Sequence, residues 1–240
     1  MGEVIHGDYR RWANPEALAS ATNYEVYKGL WSSFNDANLF EIAHSLDRQF
    51  GPRGIYRGLR LYTFLDNHDV DRVASRLADP AHLEAAHALL FAAPGIPSVY
   101  YGSEWGLEGR KTDGSDAPLR PTLETPAAMA GQAPRPDLFP AVRRLVEARR
   151  RCAALRHGDY EQLHVAPEQL AFRRNAGREC AIVAVNAAGG GVEIRLRLPD
   201  LPRTGLVDLL GAGERFATDE GGAVTLALPA RGARILSVDH

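Results

Sequence analysis

The stretch that decides the fold is Leu61 to Arg72, LYTFLDNHDVDR. Five mostly apolar residues, Leu61 to Leu65, run straight into Asp66, Asn67, His68, Asp69, Asp71 and Arg72. A short apolar run bounded by polar residues reads as a buried strand. In parallel βα architectures the working side chains collect where strands end and loops begin. The same aspartates and asparagine also suit turns and helix caps. The cluster alone leaves both readings open.

Working outward, two further strand-like segments end in similar chemistry. Met1 to Ile5 is apolar apart from Glu3 and runs into His6, Gly7, Asp8 and Tyr9. Ile96 to Tyr101, IPSVYY, runs into Gly102, Ser103, Glu104 and Trp105. A fourth strand is expected over Thr22 to Tyr27, TNYEVY, which is rich in β-branched and aromatic residues. Between them lie helical patterns. Asn14-Pro15 opens a short helical piece, and Asn38 to Phe50 has helical apolar spacing stopped by Gly51-Pro52. Asp79-Pro80 caps a helix to about Ala93, where His82 and His87 read as ordinary helix residues. A polar loop spans residues 102–136. A last helix, Leu138 to Cys152, carries an apolar stripe of Leu138, Val142, Leu145 and Val146, with its arginine run read as a solvated face.

After about Leu155 the rhythm changes to short alternating segments such as LAFRR, AIVAVN and AVTLAL, separated by turns rich in Gly and Asn. That pattern predicts an antiparallel all-β module. The fold class is therefore α/β followed by β, with domains over 1–154 and 155–240, the second a β-sandwich. A complete eight-fold βα barrel needs roughly 250 residues. Four strand–helix pairs in the first domain leave a small parallel sheet or half a barrel.

Composition excludes several classes. The chain of 240 residues has formal net charge -2 and pI near 6.5, so neither nucleic acid nor an acidic polymer is indicated as partner. No apolar run reaches membrane-spanning length, and the N-terminus lacks the apolar core of a signal peptide. Cys152 and Cys180 have neither metal-site nor framework spacing and read as reduced, buried thiols. A reducing, cytoplasmic setting, no cofactor and no metal are the expectations. Carboxylates beside His, Tyr and Trp suit sugars: aromatic faces stack on rings, and carboxylates do acid/base work. Taken singly, Glu3 also reads as a residue of a frayed terminus, and Tyr100, Tyr101 and Trp105 as core aromatics.

LYTFLDNHD resembles the strand-seven motif of the α-amylase family of glycoside hydrolases, in which an apolar strand ends in N-H-D. GIPSVYYGSEWG, Gly95 to Gly106, is similar to that family's strand-eight motif, and Gly2-Glu3-Val4 to its strand-five motif. The all-β tail resembles its C-terminal domain. The resemblance implies the second half of a TIM (β/α)8 barrel, strands five to eight, followed by an antiparallel β domain. It implies an α-glucan or maltodextrin substrate. Glu3 would be the general acid/base, Asp69 the third carboxylate and His68 a sugar ligand. Arg72, His6 and Trp12 would be contacts further out, with Arg120 shaping the rim, and Asp66 has no assigned role.

One half of the chemistry is missing. A retaining glycosidase uses two carboxylates about 5 to 5.5 Å apart, one a nucleophile. The family carries that aspartate on strand four in G-x-R-x-D, after a D-x-x-x-N-H motif at strand three. Neither occurs here: Gly58-Leu59-Arg60-Leu61-Tyr62 has tyrosine where the aspartate belongs. The expectation is the C-terminal portion of such an enzyme, inactive alone, with Met1 an internal methionine of a longer protein. A split enzyme completed by an N-terminal half-barrel and a non-catalytic sugar-binding protein are the alternatives.

Overall fold

The computed structural model describes residues 1–123, 126–211 and 213–239. Residues 124 and 125 of the polar loop lie outside them. Strand β1, Tyr62–Phe64, pairs in parallel with β2, Ile96–Ser98. Single parallel bridges continue the ladder from Tyr62 to Thr22 and from Ala21 to Gly2. Tyr62 N–H donates to the Ala21 carbonyl at 2.9 Å, and Thr22 N–H to the Gly2 carbonyl at 3.0 Å. Four parallel strand positions thus lie side by side in chain order, as in a barrel segment.

Three expected elements differ. Of Met1 to Ile5, only Gly2 joins the ladder. Thr22 to Tyr27 is not a strand. Asn23 accepts a hydrogen bond from Val26 N–H at 3.3 Å and caps α1, Tyr24–Asn35, which buries Val26, Tyr27 and Leu30 on one face. Helix capping and packing override the β propensity of those side chains. Asn14-Pro15 forms a turn, and the nearby helical turn is instead the 3-10 segment Tyr9–Arg11, capped by Asp8.

α2, Phe40–Phe50, packs on α1 where Gly29 allows close approach; a Cβ there would lie 3.3 Å from Ile42 Cα. Beyond β1 come α3, Val73–Arg76, and α4, Leu83–Ala92, which is buried almost throughout. α5, Pro126–Gln132, lies within the expected polar loop and precedes α6, Leu138–Arg151. The α6 stripe uses Leu138, Ala141, Val142 and Leu145, while Val146 is exposed. The arginine run is not wholly solvated. Arg149 is buried and donates to the carbonyls of Phe91, Ala93 and Gly95, which finish α4 and the turn after it.

α7, Ala153–His157, follows, so the change to antiparallel strands falls at Gly158 rather than near Leu155. The β module comprises β3, Asp159–Val165; β4, Gln169–Ala176; β5, Glu179–Asn186; β6, Val192–Arg197; β7, Gly205–Asp208; β8, Arg215–Ala217; β9, Ala223–Leu228; and β10, Gly232–Val238. Six form an antiparallel sheet in the order β3-β4-β5-β10-β7-β8, and β6 pairs with β9. β5 shows the period of two. Ala181, Val183 and Val185 join the core shared with the helices, whereas Ile182 and Ala184 pack with Ile194, Leu196 and Leu226. Cys152 and Cys180 are free and buried. Among the described residues no helix is long and apolar enough to cross a membrane.

Arg174 joins the two parts. Its guanidinium, 1% exposed, donates to the Ala92 carbonyl at 2.6 Å and to the Gly158 carbonyl at 2.8 Å. Truncation strands the buried Ala92 carbonyl, at about 1–3 kcal/mol, and the half-buried Gly158 carbonyl at less. Arg174→Met should therefore lower stability by about 2–4 kcal/mol in urea titration. A loss under about 0.5 kcal/mol, ordinary for surface substitutions, would show that Arg174 does not hold the junction.

Candidate active site

The C-terminal ends of the parallel strands bring Glu3, His68 and Asp69 together. One donor atom from each lies within 4.8 Å of the others, and Glu3 and His68 are exposed. Among the described residues no further carboxylate belongs to that group.

Each member is held from behind. Asn67 Oδ1 accepts from Asp69 N–H at 2.8 Å and Val70 N–H at 3.2 Å, an Asx turn that bends the chain after β1. The Asn67 amide donates to the Tyr24 hydroxyl at 2.9 Å, which in turn donates to Glu3 Oε1 at 3.1 Å. Tyr24 thus spans the ends of two strand positions. Burial first, and then the negative charge of Glu3, raises its hydroxyl above the ordinary tyrosine range, against the Asn67 hydrogen bond. The phenol stays protonated and remains a donor. Glu3 Oε2 has no protein partner among the described residues.

Asp69 is clamped on the other side. Its Oδ1 accepts from Arg120 at 3.0 Å, and its Oδ2 lies 3.3 Å from His68 Nε2. Arg120 also donates to the His68 carbonyl at 3.1 Å and contacts Asp116 at 3.3 Å. These groups are exposed enough for water to screen the ion pairs, so their role is orientation more than stability.

Below the surface lies Asp66, which is 2% exposed. It accepts from Val73 N–H at 2.8 Å and from the Ser103 hydroxyl at 2.7 Å. Burial pushes its carboxyl up to about 6, opposed by those two hydrogen bonds and by Arg72, and helped by Glu104.

Residues 1–158 match the family described as "Alpha amylase, catalytic domain", and residues 160–235 match "Maltogenic Amylase, C-terminal domain". The chain belongs to the α-amylase family. A cyclomaltodextrin glucanotransferase of Bacillus sp. (strain 38-2) is 26% identical over 233 residues, 92% of this chain and 30% of that protein. One from Geobacillus stearothermophilus is 28% identical over 150 residues, 62% of this chain and 20% of that protein. Among solved structures, an Anoxybacillus α-amylase aligns with TM-score 0.78 and 28% identity, covering 99% of this chain and 51% of that one. A debranching enzyme from Nostoc punctiforme gives TM-score 0.75 and 27% identity, covering 98% and 50%. The chain spans about half the length of these solved α-amylase-family structures and a third or less of the glucanotransferases.

For an α-amylase-family chain, the placement of the expected residues is uneven. Glu3, His68 and Asp69 converge. His6 and Trp12 are exposed on the segment after Glu3, and no hydrogen bond or ion pair among the described residues links either side chain to the three. Arg72 is a correction. It is fully buried, donates to the carbonyls of Tyr101 at 2.6 Å and Leu119 at 2.7 Å, and lies 4.2 Å from the Tyr100 ring centroid. With no surface to offer a ligand, it lashes the loop after β1 to the loops after β2. Sequence reasoning missed Tyr24, hidden inside a stretch read as strand, and left Asp66 without a role. Reading Asn23 as a helix cap would have placed Tyr24 near the strand end.

Asp66 generates a pH prediction. Its folded carboxyl titrates near 6, above the unfolded value of 3.8. The folded state therefore binds more protons between those values, and stability falls as pH rises through that window. Relative to Asp66→Asn, the wild type should lose on the order of 1–3 kcal/mol between pH 4 and pH 7 in chemical denaturation. Parallel pH profiles for the two proteins would contradict the assignment.

Proposed function

We propose that this chain supplies one wall of an α-glucan-cleaving site, with Glu3 as general acid/base and Asp69 as the carboxylate that grips sugar hydroxyls. The observation that carries the reading is the convergence of Glu3, His68 and Asp69 at the C-terminal ends of parallel strands. Tyr24 fixes one oxygen of Glu3 and leaves the other free to hand a proton to a glycosidic oxygen. Arg120 and His68 hold Asp69 in one orientation. The Asp69 carboxylate, held in this way, is the group to which a sugar hydroxyl would donate.

Hydrolysis with retention needs a nucleophile opposite Glu3. The G-x-R-x-D pattern that carries it is absent from this sequence. Turnover then depends on a polypeptide that brings the remaining strands, in line with the half-length coverage of the solved relatives. The chain alone binds α-glucan without cleaving it.

A chimera tests the roles. Strands one to four of the Anoxybacillus α-amylase, joined ahead of Glu3, should release reducing ends from maltoheptaose. Glu3→Gln and Asp69→Asn should each lower kcat by about 10²–10⁴-fold, the usual scale for loss of a positioned acid/base group. Near-normal turnover in either variant would sink the assignment.

A further inference from the structure

At the opposite end of the strands the charge pattern is of another kind. Arg60 immediately precedes the β1 ladder and Gly95 precedes β2, so both lie at the N-terminal ends, away from Glu3 and Asp69. Two adjoining cavities open there, of about 140 and 250 Å³, and share Arg60, Gly95 and Arg156. Together they are lined by Arg57, Arg60, Arg149, Arg150, Arg156 and Arg174. The single acidic residue of the lining is Asp159, already paired with Arg57 at 2.8 Å.

The buried members do nothing to neutralise this. Arg149 and Arg174 donate to backbone carbonyls, which accept hydrogen bonds but carry no net charge. Burial, then the neighbouring Arg60 and Arg156, holds the Arg149 guanidinium below its ordinary range, and burial and Arg149 do the same to Arg174. Like charges gathered with so little compensation raise the energy of the charged state. Arg156 donates to the Arg150 carbonyl, whereas the guanidinium groups of Arg60 and Arg150 have no partner among the described residues. Planar guanidinium forks with free donors match the oxygens of phosphate and carboxylate. The cavity that Arg60, Arg150 and Arg156 all line, about 250 Å³, holds such a group with water beside it, since a water occupies about 30 Å³.

We infer that this basal cleft is an oxyanion-binding site, taking a phosphate or carboxylate group between Arg60, Arg150 and Arg156. The shared chemistry has two sources: a free phosphorylated small molecule, or the acidic side chains of a peptide segment lying along the cleft. The inference is independent of the proposed glycan site, because no residue is common to the two.

The test uses the full chain, with sodium phosphate and pyrophosphate as probes and sodium chloride at matched ionic strength as reference. Thermal midpoint and calorimetric titration are the readouts. Phosphate or pyrophosphate should raise the midpoint saturably beyond chloride. Arg60→Gln should weaken binding at least tenfold. It should fold normally, because its side chain has no hydrogen-bonding partner to lose. Arg215→Gln, on the β module, should leave binding unchanged. A hexaglutamate peptide decides the source: binding tighter than phosphate at equal ionic strength marks a peptide carboxylate, and weaker binding a free phosphate. Absence of a saturable response to all three probes, or an Arg60→Gln variant that binds as the wild type does, would overturn the inference.

Discussion

The upper end of the parallel strands depends on one buried carboxylate. Asp66 sits where β1 ends and accepts from Val73 N–H on one side and the Ser103 hydroxyl on the other. The first bond sets the start of α3, and the second draws in the loop after β2. Arg72, next to Val73, closes the same loop by donating to the carbonyls of Tyr101 and Leu119. Burying an aspartate costs free energy unless its lone pairs are met. Here they are met by the two loops that must be brought into register, which offsets part of the desolvation cost; the rest is the raised carboxyl. Asn67, His68 and Asp69 ride on this support, which is why they converge with Glu3.

The same sheet leaves work undone at its margins. Among the described residues β2 is paired only with β1, and the Gly2 position only with Ala21. Closure is what removes edges from a barrel, and unpaired N–H and C=O groups invite another strand. Met1 and Ile5 are 63% and 53% exposed beside one edge. This open condition accords with a chain that spans about half of the solved α-amylase-family structures it resembles. The β module also ends in edge strands, β3 and β8, but its faces are covered. Its six-stranded sheet is covered on one face by helices and on the other by the β6–β9 pair.

What could be read in the sequence follows from how local each cause is. The motif around Asn67–Asp69, the helices over Phe40–Phe50 and Leu83–Ala92, and the alternating strands after Gly158 all announce themselves by periodicity or turn chemistry. The misreadings arose where a cap or a distant contact overrides side-chain type. Tyr24, Val26 and Tyr27 favour strand by type, yet a cap at Asn23 and burial against the strands make them helix. The family resemblance implies a ligand contact for Arg72. Only the folded loops reveal carbonyls of Tyr101 and Leu119 waiting for its guanidinium. Arg149 sits in a run of arginines that is otherwise exposed, and its burial depends on the end of α4 arriving beside it. β2 stops at Ser98, short of the Tyr101 that IPSVYY suggests.

The central claim is that Glu3, His68 and Asp69 form a working sugar wall although the opposite wall is absent. The most direct measurement is titration of the chain alone with maltoheptaose, followed by NMR of the His68 ring and accompanied by an assay for new reducing ends. The account expects a saturable shift of the His68 resonances with no cleavage. Cleavage by the isolated chain would contradict it, because these two carboxylates would then suffice without a third. An unmoved His68 at saturating sugar would contradict it from the other side, by removing the sugar from the site.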